Sequence, residues 1–189
     1  MNTAVRITYD QLLEMLENGF MADSEERFEL LSGEIRLMTL PKPPHHFLVD
    51  ELNEWSFEVL KPGTVRIRVQ NPVGIPELDS MVLPDVAWLK RIDYSNRHPL
   101  SDDVLLMIEV ADSTLSKDRR RKGNIYASAG IADFWIVNVA KRRLEIRRDP
   151  QGGTYRTVLT LKPGEEARPL AFPDVSLPVS RLFPDRDPN

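Results

Sequence analysis

Cysteine is absent from this sequence. That excludes disulfide staples and thiol catalysis, and it fits a reducing compartment, so a cytoplasmic protein is expected. Long apolar runs are also missing. None approaches the roughly 20 residues that a membrane-spanning helix needs. Met1 to Asp10 is polar and lacks the apolar stretch of a secretion signal. Neither export nor a membrane partner is expected. Surplus positive charge is lacking too: 25 Lys and Arg face 29 Asp and Glu, for a formal net charge of −4. A nucleic-acid partner would then be met by a local basic patch rather than a global field. One candidate patch is Lys117-Asp118-Arg119-Arg120-Arg121-Lys122. A second, Lys141-Arg142-Arg143 with Arg147-Arg148, reads equally well as a solvated strand face.

What remains is an ordinary globular composition. The 189 residues are 41% apolar and 29% charged, which suits one domain over 1–189 with a sizeable core. Thr8 and Gln11 form a capping-box pair ahead of Leu12, Leu13, Met15 and Leu16, and Gly19 is placed to end that helix. Phe28 to Leu31 and Glu34 to Leu37 flank Ser32-Gly33, the pattern of a β-hairpin. Pro41, Pro43 and Pro44 predict irregular chain. Leu48, Leu52, Trp55 and Val59 recur at helical spacing until Pro62-Gly63. Val65 to Val69 alternates as a half-buried strand, Asn71 to Ser80 reads as a loop, and Val86 to Leu89 is a strand entered from Pro84. Val104 to Val110 is nearly all apolar, as in a strand covered on both faces. A helix from about Ser116 to Ala129, ended by Gly130, leads to a buried strand at Phe134 to Val139. Leu144 and Ile146, then Tyr155 to Leu161, predict further strands joined by a turn at Gly152-Gly153. From Lys162 onward recurrent proline predicts a surface wrap. Mixed order of this kind implies an α/β fold.

Two residues resist a purely structural reading. Glu109 sits inside the most apolar strand, where a lone carboxylate must be paired, protonated or bound to a cation unless it emerges into solvent. Lys122 shares a helical stripe with Asp118, Ile125, Tyr126 and Ala129 at roughly 100° per residue. The apolar members must face the sheet, so the lysine points the same way. A surface Asp118–Lys122 pair or snorkelling of the lysine stem are the plainer alternatives. Asp85 opens a strand directly after Pro84. Pro173-Asp174-Val175 repeats that motif but has no acidic strand downstream. Together, Asp85 and Glu109 can bind one hard divalent cation, Mg²⁺ or Mn²⁺, with room left for a phosphate. The Lys122 ammonium can orient a water or offset charge on that phosphate.

Pro84-Asp85, Glu109-Val110-Ala111, Asp118, Lys122, Tyr126, Gly130 and Phe134-Trp135-Ile136-Val137 together resemble the Uma family of restriction endonucleases, within the PD-(D/E)XK nuclease superfamily. Phe28-Glu29-Leu30-Leu31-Ser32-Gly33-Glu34-Ile35, with a histidine before the second helix, is similar to that family as well. The resemblance covers Tyr9 to Phe183 and is most specific from Leu105 to Val137. It implies a restriction-endonuclease-like core: a central mixed β-sheet flanked by helices, with an N-terminal helix and hairpin. The superfamily pattern places a lysine two residues after the strand acid, where this chain has Ala111. The resemblance implies that Lys122 fills that role from the helix. His45 matches the family histidine better than His46, with phosphate binding, a part in the site, or helix capping left open. Glu29 and Glu34 are expected on the hairpin surface, shaping the cleft. A further acid from the first core helix would be Glu51 or Glu54. The implied activity is hydrolysis of DNA phosphodiester bonds by a metal-dependent endonuclease, with a homodimer suited to cutting both strands. The alternative is an inactive nuclease-fold module that binds nucleic acid or a protein. A small-nucleotide phosphohydrolase ranks last, because no Gly-rich phosphate loop is present.

Overall fold

Thr8 starts the first helix as its capping box predicts. In α1 (Tyr9–Glu17), Thr8 Oγ1 accepts from Gln11 N at 3.1 Å while Gln11 Oε1 accepts from Thr8 N at 2.8 Å. The helix closes with Phe20 N donating to Met15 O and Gly19 N to Leu16 O, around a left-handed Gly19 at φ +87°. The computed structural model of the chain describes residues 5–111 and 117–184, and within the third helix its side chains from Arg120 onward. The predicted helix start at Ser116, the Asp118–Lys122 pair and the Lys117 to Arg119 part of the basic run therefore lie outside the described side chains.

The hairpin β1 (Phe28–Leu31) and β2 (Glu34–Leu37) turns at Ser32 and Gly33, both with positive φ, the geometry that matches strand twist. Prolines behave differently from the expectation. Pro43 and Pro44 do not forbid regular structure; they open α2 (Pro43–Val59), because the first helical N–H groups have no intrahelical acceptor to lose. The segment expected as a loop from Asn71 to Ser80 also holds more order. It contains β4 (Val73–Ile75), a 3₁₀ turn and the start of β5 (Ser80–Val82), following β3 (Val65–Val69). Such three-residue strands are too short to show a period in sequence.

The remaining elements are β6 (Val86–Lys90), β7 (Val104–Ala111), α3 (Lys117–Ser128), β8 (Asp133–Asn138), β9 (Arg143–Gln151), β10 (Thr154–Leu161), β11 (Glu166–Ala167), β12 (Leu177–Pro178) and α4 (Val179–Leu182). Six strands form the central sheet in the order β10-β9-β8-β7-β6-β3. It is mixed: β7 and β8, joined through α3, are parallel, and the other neighbours are antiparallel. A smaller antiparallel sheet runs β2-β1-β5-β4, and β11 pairs with β12.

Strand alternation sorts the core onto two faces. Val86, Trp88, Leu106, Ile108, Trp135 and Val137 pack with Leu48, Leu52 and Trp55 of α2. Trp55 stacks on Trp88 at 4.9 Å and on Trp135 at 5.9 Å between centroids. Full burial of each such ring stabilises by about 3 kcal/mol. Ala87, Leu89, Met107, Phe134 and Ile136 face Ile125 and Tyr126 of α3. The C-terminal stretch does more than wrap the surface. Leu177, Val179, Leu182 and Phe183 are buried in the α2-side core.

Candidate active site

The register of β6 on β7 pairs Val86 with Ile108. One residue further along the same antiparallel register, Asp85 stands opposite Glu109. Both share the parity of Ala87 and Met107, so both belong to the sheet face that α3 covers. Lys122 comes from α3 to meet Glu109. It is 9% exposed, and its Nζ lies 2.6 Å from Glu109 Oε1 and 2.9 Å from Glu29 Oε1. The helical stripe thus turns the lysine inward.

Glu29 corrects an expectation. It is not a surface residue of the hairpin: it is 7% exposed, and its Oε1 also accepts from Leu83 N at 2.7 Å. Its signal in the sequence was the one that singled out Glu109, an acid inside an apolar strand. Glu34 stays outside. Its carboxylate binds Arg121 at 2.9 Å and Arg36 at 2.7 Å beyond the cleft that holds the other acids. Glu51 and Glu54 turn to the opposite face of α2, where both pair with Arg181. The α2 residue that reaches the site is His45, with Nε2 3.2 Å from Asp85 Oδ1.

Asp85 is held by more than the histidine. Its Oδ2 accepts from Val110 N at 2.7 Å, and its Oδ1 accepts from Gln70 Nε2 at 3.1 Å. Gln70 went unnoticed in the sequence because its role depends on a left-handed backbone (φ +51°) at the exit of β3. Arg27 donates to Gln70 Oε1 at 2.7 Å and to the Gln70 carbonyl. These contacts fix which end of the amide faces Asp85.

Charge in this cluster is unbalanced. Burial alone would lift the Asp85 pKa, but the His45, Val110 and Gln70 donors more than offset it and hold the carboxyl below its ordinary range. Burial drives Glu109 up to about 7; Lys122 opposes the rise, while Asp85 and Glu29 add to it. Burial would lower the Lys122 pKa, yet the Glu109 and Glu29 carboxylates outweigh it and keep the amine protonated. The two carboxylates thus favour the charged form of Lys122. Tyr126 donates its hydroxyl to Glu109 Oε1 at 2.6 Å.

Asp85, Glu109, Glu29, Lys122 and His45 line a cleft of about 440 Å³, walled on one side by Arg36 to Lys42. The donor set suits a hard divalent cation. Asp85 Oδ2 takes one hydrogen bond and Glu109 Oε2 takes none among the described residues, so both can still ligate. No group of three or more His, Asp or Glu side chains arranged for a metal occurs among those residues. In both basic clusters part of the positive charge is already matched by a carboxylate. Arg121 is paired with Glu34, Arg147 with Glu145, and Arg148 with Asp133.

With this geometry in hand, three comparisons bear on kinship. A family model for Uma2, described as "Putative restriction endonuclease", matches residues 9–180. No curated protein matches the chain. Among solved structures, a putative nuclease belonging to DUF820 from Anabaena variabilis ATCC 29413 superposes with a TM-score of 0.72 at 18% identity. The match covers 94% of this chain and 97% of that one, which establishes a shared fold. The Uma2 model spans nearly the whole sequence, so the chain belongs to the Uma2 family of putative restriction endonucleases.

Proposed function

We propose that the chain is a metal-dependent endonuclease that hydrolyses DNA phosphodiester bonds at the cleft between the central sheet and α3. The observation that carries this reading is the placement of Lys122 Nζ 2.6 Å from Glu109 Oε1, on the strand position opposite Asp85. Asp85 and Glu109 would hold Mg²⁺ or Mn²⁺. Such an ion, when bound, polarises a phosphoryl group and lowers the pKa of a coordinated water. Lys122, in its charged form, offsets negative charge as it builds on the phosphate. Glu29 gives the Lys122 ammonium a second carboxylate partner at 2.9 Å. His45 and Gln70 orient Asp85, leaving its Oδ2 turned to Val110 N and the cleft. The reading treats 1–189 as one working unit in the cytoplasm, with two copies acting where both strands are cut.

A binding-only module is the second reading. The net charge of −4 favours it, as does the pairing of Arg121, Arg147 and Arg148 with carboxylates. Nicking of supercoiled plasmid in Mg²⁺ or Mn²⁺ separates the two. Activity should require the metal and disappear in Asp85→Ala and in Glu109→Ala while each variant keeps its cooperative melt. Cleavage that survives in both variants would remove these carboxylates from the reaction. A folded wild-type chain that binds DNA without cutting it under any divalent metal would favour the binding module.

A further inference from the structure

A single exposed leucine needs no explanation, but an apolar run on the wall of a charged cleft does. Leu37 is 58% exposed and Leu40 94% exposed. Together with Met38 they line the cleft that holds Asp85, Glu109 and Lys122. Leu37 ends β2, and Met38 and Leu40 lie on the strap that joins β2 to α2. Pro41, Pro43 and Pro44 restrict that strap at its far end, and Pro43 and Pro44 already belong to the helix. An outward leucine on a stiffened strap loses little freedom when something closes over it.

The neighbours say what that something is. Arg36 and Lys42 bracket the leucines on the same wall, and both are exposed. Arg36 shares its charge with Glu34 at 2.7 Å, so Lys42 is the freer of the two. A cation next to an apolar side chain matches a polymer whose phosphates alternate with flat apolar rings. A protein partner seated on Leu40 would instead cover the entrance to Asp85 and Glu109.

We propose that Leu40, supported by Leu37, is a wedge that enters the base stack of DNA beside the phosphate held in the cleft. The substrate is then DNA locally unstacked at the cut. This rests on the nuclease reading above. A wedge costs the unstacking of one base step and is favoured where stacking is already weak, as at a mismatch or a nick. Lys42 would meet the phosphate next to the opened step.

The test uses the full chain carrying Glu109→Gln, which should bind without cutting, and a short duplex with 2-aminopurine at a central mismatch. The expected result is a rise in 2-aminopurine fluorescence on binding, with affinity about ten-fold tighter for the mismatched than for the matched duplex. Adding Leu40→Ala should abolish both the rise and the preference while leaving the melting temperature unchanged. Leu40→Phe should retain them. DNA binding with no fluorescence rise, or with an equal rise in Leu40→Ala, overturns the wedge and leaves the nuclease reading standing. A chain that binds neither duplex overturns both. A homodimer in sedimentation that Leu40→Asp disperses also overturns the wedge, because a second copy would then be what covers Leu40.

Discussion

Lys122 Nζ and Glu109 Oε1 lie 2.6 Å apart, each on a different layer of the fold, helix against sheet. The ammonium is shared with Glu29, so removing it leaves two buried carboxylates facing one another. Breaking a buried pair from one side costs about 3–5 kcal/mol, far more than the pair contributes over an apolar replacement. Lys122→Met should therefore lower the unfolding free energy read from urea melts by that amount. The combination with Glu29→Gln and Glu109→Gln should recover much of the loss, since no uncompensated charge remains. A single variant within about 1 kcal/mol of the parent would mean that the cleft solvates these groups and that the lysine is not their structural partner.

On the proposed metal-binding reading, Gln70 should act on the cation without touching it. Its amide fixes Asp85 Oδ1, and Arg27 fixes the amide. Loss of a partner that orients a metal-binding carboxylate weakens affinity by roughly 10–100-fold. Gln70→Ala should raise the Mn²⁺ dissociation constant within that range, and Arg27→Ala should shift it less in the same direction. Isothermal titration of the folded variants reads this directly. Equal constants for the parent and Gln70→Ala would show that Val110 N and His45 suffice to hold Asp85.

The legible parts of this molecule were those governed by period and sign. The capping box, the Ser32-Gly33 hairpin, the buried β7 and the inward stripe of α3 all follow from residue type at fixed spacing. So does the meeting of Lys122 with Glu109, because an apolar stripe forces its polar member to the same side. The missing parts are those that tertiary pairing decides. Glu29 reaches Lys122 only because the small sheet folds β1 under α3, a placement no local pattern encodes. Gln70 needs a left-handed turn at the end of β3. Pro43 and Pro44 carry no local sign that they open a helix, because proline has the same composition signal before a helix as inside a loop.

Gly74 tests how the small sheet is anchored. A Cβ at this position would lie 2.5 Å from Tyr9 Oη and 2.8 Å from its Cζ. Tyr9 is 6% exposed, and its backbone N–H is tied to Asp79 Oδ1 at 3.1 Å, so the ring has little room to retreat. Gly74→Ala should destabilise by about 1–3 kcal/mol through overpacking. Tyr9→Leu in the same chain should relieve part of it, which a double-mutant cycle from urea melts would show. Simple additivity of the two changes would place the strain elsewhere.

Acid should weaken the fold partly through Asp103, which lies immediately before β7 and outside the lining of the cleft. Its carboxylate accepts from Arg97 Nη1 at 2.7 Å and from Leu100 N at 2.9 Å. Burial pushes its pKa up, but the Arg97 guanidinium and the Leu100 N–H pull harder and leave it below the ordinary 3.8. The unfolded chain therefore takes up this proton first as pH falls. Its stabilising contribution is fully present above the unfolded value and is lost as pH drops through the lower folded one. Other acids with lowered pKa values act equally in parent and variant, so they cancel in a difference. The gap in urea midpoint between the parent and Asp103→Asn should be constant above about pH 5 and should shrink below it. A gap that stays fixed or widens in acid would mean that the Arg97 contact adds packing but no charge-dependent stability.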